Sequence, residues 1–83
     1  MKILEDVEKI LLTEVAVDLG RESLDPDEDL LAQGIIDSLG VVRLIVSLEK
    51  AFGIEVIDED VVPENFQRLD ILVKFVEQKM RNK

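Results

Sequence analysis

One serine, Ser38, stands at a boundary where its hydroxyl could do chemistry. The stretch from Gly34 to Gly40 reads Gly-Ile-Ile-Asp-Ser-Leu-Gly, and an apolar run continues from it to Phe52 before Gly53. Asp or Ser just before a periodic apolar segment predicts a helix start, and Gly just after one predicts a helix stop. Ser38 is therefore predicted among the first residues of a helix of about four turns.

The Ser38 hydroxyl could simply cap this helix. A serine oxygen at such a position accepts a hydrogen bond from the free N–H groups of the first turn. Asp37 could cap equally well, which would leave the Ser38 hydroxyl free. Neither residue is followed by Glu or Gln three positions later, so no capping box is predicted.

The residue types on which most catalytic sites are built are missing. The chain contains no His and no Cys. This removes the commonest general base, the Ser-His-Asp and Cys-His arrangements, and all thiolate and disulfide chemistry. The remaining carboxylates and lysines show no convincing pairing. We therefore expect no catalytic residues and no enzymatic activity.

An acidic segment resembles the opening of an EF-hand calcium loop. Asp25, Asp27 and Asp29 alternate in it. Such a loop requires Gly at its sixth position and Glu at its twelfth, where this chain has Leu30 and Ile36. We therefore predict no specific metal site, although loose binding of divalent cations to the segment stays open.

The helix predicted after Ser38 has two apolar stripes. The first, an ordinary core stripe, comprises Val41, Leu44, Ile45, Leu48 and Phe52. A second stripe, displaced by about a third of a turn, comprises Leu39, Val42 and Val46. The remaining strip is polar and comprises Arg43, Ser47 and Lys50, with Gly40 beside it. Neighbouring helices could bury both stripes, or the second stripe could be a docking face beside Ser38.

Two further main helices are predicted, one at each end of the chain. Periodic apolar residues predict a first helix from residue 2 to about residue 18, with Leu4, Val7, Leu11 and Val15 on its inner stripe. The last helix is predicted from about Arg68 to Met80. Its predicted inner face comprises Leu72, Phe75, Val76 and Met80.

The connections between these helices differ in length. Residues 19–36 form a long loop, in which a short one-turn helix is conceivable and whose apolar residues are expected to anchor it: Leu24, Leu30, Leu31, Ile35 and Ile36. Residues 53–57 read as an extended connector, because a lone strand would have no partner. A short helix or turn capped by Asp58 is predicted before Pro63, with Phe66 as a core anchor.

These elements predict an all-α fold, a small bundle of three main helices plus one short helix, with a long loop between the first two main helices. The 83 residues, 47% hydrophobic and 4% aromatic, fit one domain spanning residues 1–83 with a small aliphatic core.

The charge balance narrows the classes of partner. The formal net charge is −9, which makes nucleic acid and anionic membrane surfaces unfavourable partners and basic protein surfaces favourable ones. Acidity could also serve solubility alone. No apolar run approaches the roughly 20 residues of a membrane span, and no secretory signal is visible. We expect a cytoplasmic monomer without membrane insertion.

A family resemblance rests on the motif around Ser38. Gly34-x-x-Asp37-Ser38-Leu39, followed by a long apolar helix that ends in Glu49-x-x-Phe52-Gly53-Ile54, resembles the signature of the acyl, aminoacyl and peptidyl carrier proteins. The resemblance covers nearly the whole chain and implies an acyl-carrier-like bundle. It implies that Ser38 accepts a covalent 4′-phosphopantetheine from coenzyme A. A helix N-terminus suits the resulting phosphodiester, because its free N–H groups and positive dipole favour an anion.

Within this resemblance, other positions acquire expected roles. Asp37 and Leu39 flank the attachment site, and Asp37 would position or be read by the transferase. Leu39, Val42, Arg43 and Val46 would form a docking face. The implied partners are a phosphopantetheinyl transferase, an acyl- or aminoacyl-activating ligase, and acyl-processing or acyltransferase enzymes. Acyl or aminoacyl groups would be delivered as thioesters for lipid (including fatty acid), polyketide or aminoacyl-transfer biosynthesis.

The chain departs from fatty-acid-type carriers, which usually place acidic residues on the outer face of this helix. Gly40 and Arg43 stand there instead. The motif and the later Glu64-Asn65-Phe66 are also similar to D-alanyl and stand-alone aminoacyl carriers. These features favour a free-standing, specialised carrier. The rival hypothesis is a non-enzymatic helical interaction domain in which Ser38 is only an N-cap.

Overall fold

Four α-helices make up most of the fold. The structure, a computed structural model, describes residues 2–16, 20 and 23–81. The helices are α1 (Lys2–Ile10), α2 (Ser38–Phe52), α3 (Pro63–Phe66) and α4 (Leu69–Arg81), with a π-helical turn at Leu11–Val15 and a 3₁₀ turn at Asp58–Asp60. The described residues form no strand, only one isolated bridge between Asp29 and Arg68. The predicted all-α bundle of three main helices plus one short helix is confirmed.

The first helix changes character after Ile10. Residues Leu11–Val15 form a wider π-helical turn, and at Ala16 (φ −107°, ψ 51°) the chain leaves helical geometry. The Thr13 hydroxyl donates to the carbonyl of Lys9 at 2.7 Å. This local bond competes with the α-helical ladder and favours a widened turn. The first helix, predicted to reach about residue 18, therefore ends before Ala16, and residues 17–19 lie outside the described residues.

The core lies where α1, α2 and α4 pack on one another. Val7 and Leu11 come from the first helix, Leu44 and Leu48 from α2, and all four are fully buried. Phe66 of α3 packs edge-on against Phe75 of α4, with ring centroids 5.8 Å apart. The predicted core anchor Phe66 is confirmed.

The long loop before α2 is fastened to α4. Its anchors Leu24, Leu30, Ile35 and Ile36 are buried and Leu31 is half-buried, as predicted. The N–H of Leu30 donates to the carbonyl of Gln67 at 2.7 Å, and the N–H of Asp70 donates to the carbonyl of Pro26 at 2.9 Å. These bonds hold the loop across the bundle in turns, and the conceivable one-turn helix does not form among its described residues, 20 and 23–36.

The connection after α2 begins at Gly53, whose left-handed conformation (φ 65°) ends the helix as predicted. Residues 53–57 are extended. The short helix or turn predicted before Pro63 is confirmed as a 3₁₀ turn at Asp58–Asp60, and α3 follows it with Pro63 in its first turn. Asp58 is not the cap, because the N–H of Ile57 donates to the carboxylate of Asp60 at 3.1 Å.

Helix α4 matches its predicted bounds within one residue. Leu72, Phe75 and Val76 are buried, but Met80 is 38% exposed and does not belong to the inner face. Met80 lies in the last turn, beside Ile3 and Arg81, where the helix reaches the edge of the bundle. None of the described helices is both long and apolar enough to cross a membrane.

Candidate functional site: the amino end of α2

Asp37 is the residue that caps α2. Its backbone is extended (φ −117°, ψ −170°), and its carboxylate Oδ1 accepts the N–H of Gly40 at 2.8 Å. Its carbonyl accepts the N–H of Val41 at 2.9 Å. Ser38 is the first residue of the helix. The interpretation of Ser38 as the N-cap is therefore wrong, and the alternative that Asp37 caps is confirmed.

Ser38 is left exposed at the positive end of the helix. Among the residues that the structure describes, its hydroxyl has no hydrogen-bond partner, and the backbone N–H groups of Ser38 and Leu39 have no acceptor. A phosphate ester on this oxygen would meet free N–H donors and open solvent. The site therefore fits the phosphodiester that the resemblance implies.

The chain that leads into Ser38 is rigidly held. Gly34 adopts φ 71°, a left-handed conformation that favours glycine, and its N–H donates to the carbonyl of Leu31 at 3.1 Å. The N–H groups of Ile35 and Ile36 both donate to the carbonyl of Leu30, at 2.9 and 3.1 Å. Both isoleucine side chains are buried. The Ser38 hydroxyl is thus exposed on a fixed support.

Gly40 is a site residue that the sequence did not reveal. It is buried, and a Cβ placed on it would lie 3.3 Å from Asp37 Oδ1, 3.3 Å from Val15 Cγ1 and 3.4 Å from Ile36 Cβ. The small residue therefore lets the first helix and the cap approach the start of α2 closely. The signal was missed because Val15 comes from a distant part of the sequence.

A cleft of about 350 Å³ opens beside the cap. Its walls come from the end of the first helix (Val15 and Ala16), from the loop at Gly34–Asp37, and from Leu39, Gly40 and Arg43 of α2. Arg43 is exposed. The structure therefore brings Asp37, Leu39 and Arg43 together around this cleft, with Ser38 between the first two in the chain.

The second stripe of α2 faces solvent. Leu39, Val42 and Val46 are 60%, 57% and 46% exposed. On the first stripe, Leu44 and Leu48 are fully buried, and Val41, Ile45 and Phe52 are half-buried. The expectation that neighbouring helices bury both stripes is wrong for the second stripe. An apolar row beside Ser38 is available for contact.

The perturbed carboxyl groups lie away from Ser38. Burial raises the pKa of Asp60, but bonds from Lys79 and from the N–H of Ile57 outweigh it, so the net pKa lies below the usual 3.8. The hydrogen bond from Arg68, at 2.6 Å, lowers the pKa of Asp70. The first pair joins the Asp58–Asp60 turn to α4, the second lies at the start of α4, and neither lies at the amino end of α2.

No metal centre is formed by the described part of the chain. Among residues 2–16, 20 and 23–81, no group of three or more acidic side chains is placed to hold a metal ion. Asp29 instead accepts the N–H of Ala32 at 2.8 Å, and Asp25 donates its own N–H to Glu28 at 3.2 Å.

Comparison with known proteins yields one family match that contains this site. The family described as "Phosphopantetheine attachment site" matches residues 9–71, a range that includes Ser38. The acyl carrier protein of Solidesulfovibrio magneticus is 30% identical over 79 residues, covering 95% of this chain and 96% of the relative. The acyl carrier protein of Helicobacter acinonychis is 35% identical over 79 residues, covering 93% of this chain and 94% of the relative.

A solved structure shares the fold. The solution structure of a holo acyl carrier protein from Nitrosomonas europaea superposes with a TM-score of 0.82 at 32% sequence identity. The match covers 98% of this chain and 99% of that one. The similarity therefore extends over nearly the whole bundle.

Proposed function

This chain belongs to the acyl carrier protein family, and we propose that it carries acyl or aminoacyl groups on a 4′-phosphopantetheine arm attached covalently to Ser38. One observation carries the assignment to Ser38. Asp37 caps α2, so the neighbouring hydroxyl stays exposed and unbonded among the described residues. When bound, the arm supplies a terminal thiol that holds its cargo as a thioester.

Ser38 acts as the nucleophile in the loading step. Its Oγ bonds to the phosphorus of coenzyme A that bears pantetheine, and the pyrophosphate bond breaks, releasing adenosine 3′,5′-bisphosphate. The hydroxyl proton passes to a base of the transferase, since this chain has no His. The protein contributes an oriented hydroxyl, and catalysis belongs to its partners.

The end of α2 stabilises the charge that attachment adds. The first-turn N–H groups and the helix dipole face the new phosphodiester, an interaction of roughly 0.3–1 kcal/mol at an exposed position. Asp37 holds these groups in place through its bond to the Gly40 N–H. Asp37 is therefore a positioning residue, and Leu39 flanks the site on the other side.

The second stripe is the proposed docking face for partner enzymes. Leu39, Val42 and Val46 expose apolar surface beside Ser38, and Arg43 lies next to them. The proposed partners are the phosphopantetheinyl transferase, an activating ligase and acyl-processing enzymes. We assign the chain to a specialised lipid, polyketide or aminoacyl-transfer pathway in the cytoplasm, where coenzyme A is available, because α2 lacks the acidic outer face expected of fatty-acid-type carriers.

The test is intact-protein mass spectrometry after incubation with coenzyme A, Mg²⁺ and a broad-specificity phosphopantetheinyl transferase. Wild-type protein should gain the mass of one phosphopantetheinyl group, and Ser38→Ala should gain none. Ser23→Ala and Ser47→Ala are matched controls and should load like the wild type, because they remove the other serines of the chain. Loading of Ser38→Ala would contradict the assignment. If two different transferases left the wild type unmodified, the result would favour the rival hypothesis of a helical interaction domain.

A further inference from the structure

The charges of α2 have a sign opposite to that of the whole molecule. The chain has a formal net charge of −9. Helix α2 contains one acid, Glu49, and two bases, Arg43 and Lys50. Glu49 is half-buried, and its carboxylate accepts the N–H of Val56 at 3.0 Å. The charges that α2 presents to a partner are therefore the two bases.

These two bases lie along the exposed apolar row. Seven residues separate Arg43 from Lys50, so they share one side of the helix about 10 Å apart along its axis. Arg43 lines the cleft that also contains Leu39, and Lys50 lines a groove with Val46 and Ile10. Each end of the second stripe thus has a cation beside it.

Neither cation is neutralised within the part of the chain that the structure describes. Both are exposed, and no carboxylate there lies within ion-pair distance of either. The cleft at Arg43 is also lined by Asp37, which accepts the Gly40 N–H, and the groove at Lys50 is also lined by the exposed Glu14. The cations are free to pair with groups on another molecule.

We propose that α2 docks partner proteins through an apolar contact whose rim carries carboxylates opposite Arg43 and Lys50. The proposal rests on the carrier function and names the partner chemistry of that docking face. The acidic remainder of the chain attracts basic surfaces at long range. At α2 itself, Arg43 and Lys50 repel basic groups and attract acidic groups at the rim of the partner's surface. Charges at the rim of an interface act mainly on specificity and on the association rate.

Two synthetic amphipathic helical peptides of equal net charge would test this pairing. Both carry the same leucine stripe, two Glu and two Lys. In the first peptide, two Glu seven residues apart flank the leucine stripe and the two Lys lie on the opposite face of the helix. In the second peptide, the Lys flank the stripe and the Glu lie on the opposite face. The amide resonances of residues 39–50 locate the binding site, and their shifts give the dissociation constant. Equal net charge removes the long-range effect of the acidic chain.

The wild type should bind the Glu-flanked peptide roughly three- to tenfold more tightly than the Lys-flanked one, because two exposed ion pairs are gained. The double variant Arg43→Glu, Lys50→Glu should reverse this preference. Lys74→Glu, Arg81→Glu is the matched control, since it reverses two exposed bases seven residues apart on α4. That control should keep the wild-type preference.

Three results would overturn the proposal. The wild type could bind both peptides equally or prefer the Lys-flanked one, or both double variants could lose the preference for the Glu-flanked peptide to the same extent. The third is that neither peptide shifts the amide resonances of residues 39–50. The titration uses unloaded protein. Failure of loading at Ser38 therefore leaves the docking result intact, and failure of the charge preference leaves the attachment site intact.

Discussion

The two apolar stripes of α2 are chemically alike and structurally opposite. Leu44 and Leu48 on one stripe are fully buried, whereas Leu39 on the other is 60% exposed. Both stripes are aliphatic and both belong to one regular helix, Ser38–Phe52. The first joins α2 to the bundle, and the second remains uncovered beside Ser38.

The difference shows that hydrophobicity along a helix does not by itself define the core. Burying a leucine stabilises the fold through the area removed from water and the packing it makes. An exposed apolar row contributes little to the fold, so its presence beside Ser38 requires another reason. We propose contact with other proteins as that reason.

The largest effect is expected from one leucine-to-alanine change made on each stripe. Leu48→Ala should lower the free energy of unfolding by about 2–5 kcal/mol, because it leaves a cavity in the core. Leu39→Ala should change it by about 0.5 kcal/mol or less, because the side chain is exposed. Urea denaturation followed by circular dichroism measures both. Equal losses would show that the second stripe also belongs to the core.

A smaller difference in stability is expected between alanine variants of the two neighbouring residues at the start of α2. Asp37→Ala should cost about 1 kcal/mol of stability, because the bond to the Gly40 N–H is lost. Ser38→Ala should cost roughly 0.5 kcal/mol or less, because its hydroxyl holds no cap. Thermal unfolding at fixed pH measures the pair. A larger loss of stability in Ser38→Ala than in Asp37→Ala would indicate that Ser38 caps the helix.

Val42→Glu separates function from stability on the second stripe. Val42 is 57% exposed, so the variant should keep its helical spectrum and lie within about 0.5 kcal/mol of the wild type. Transfer to partner enzymes should weaken, because a charge enters the apolar contact. Loading kinetics with the transferase measure one such contact directly. Unfolding of this variant would favour a core role for the stripe.

The pH dependence of stability should involve α4 rather than α2. Because the folded pKa of Asp60 lies below 3.8, its ion pair with Lys79 stabilises the fold above that pH. This contribution is lost as the pH falls through the folded pKa. Asp60→Asn should therefore lower stability at pH 7 and reduce the further loss of stability as the pH falls below 3.8. Urea midpoints measure this, with the exposed Asp58→Asn as control. If Asp60→Asn had the same dependence of stability on acid pH as the wild type, the ion pair with Lys79 would not contribute to that dependence.

Local signals in the sequence were sufficient for the main helix. The start at Asp37-Ser38 and the stop at Gly53 were predicted correctly, because both depend on backbone chemistry within a few residues. The choice between Asp37 and Ser38 as cap could not be made, since both side chains offer an oxygen acceptor. The extended backbone at Asp37 and the bond from the Gly40 N–H to its carboxylate decide it.

Features that depend on distant contacts were not predictable. The close approach of Val15 to Gly40 joins residues far apart in the sequence, so periodicity gave no sign that Gly40 is buried. The widened turn at Leu11–Val15 is a local feature, with a bond from the Thr13 hydroxyl to the Lys9 carbonyl, but the apolar periodicity gave no sign of it either. Whether the second stripe is covered depends on where α1 and α4 pack. The role proposed for Ser38 comes from the family resemblance, because the residues alone left it open.

Fragmentation of the loaded protein in a mass spectrometer would locate the phosphopantetheinyl adduct on the chain. If Ser38 is the attachment site, every fragment with the phosphopantetheinyl mass contains Ser38, and fragments containing only Ser23 or Ser47 are unmodified. An adduct on either of those serines, or on any residue outside the amino end of α2, would show that Ser38 is not the attachment site.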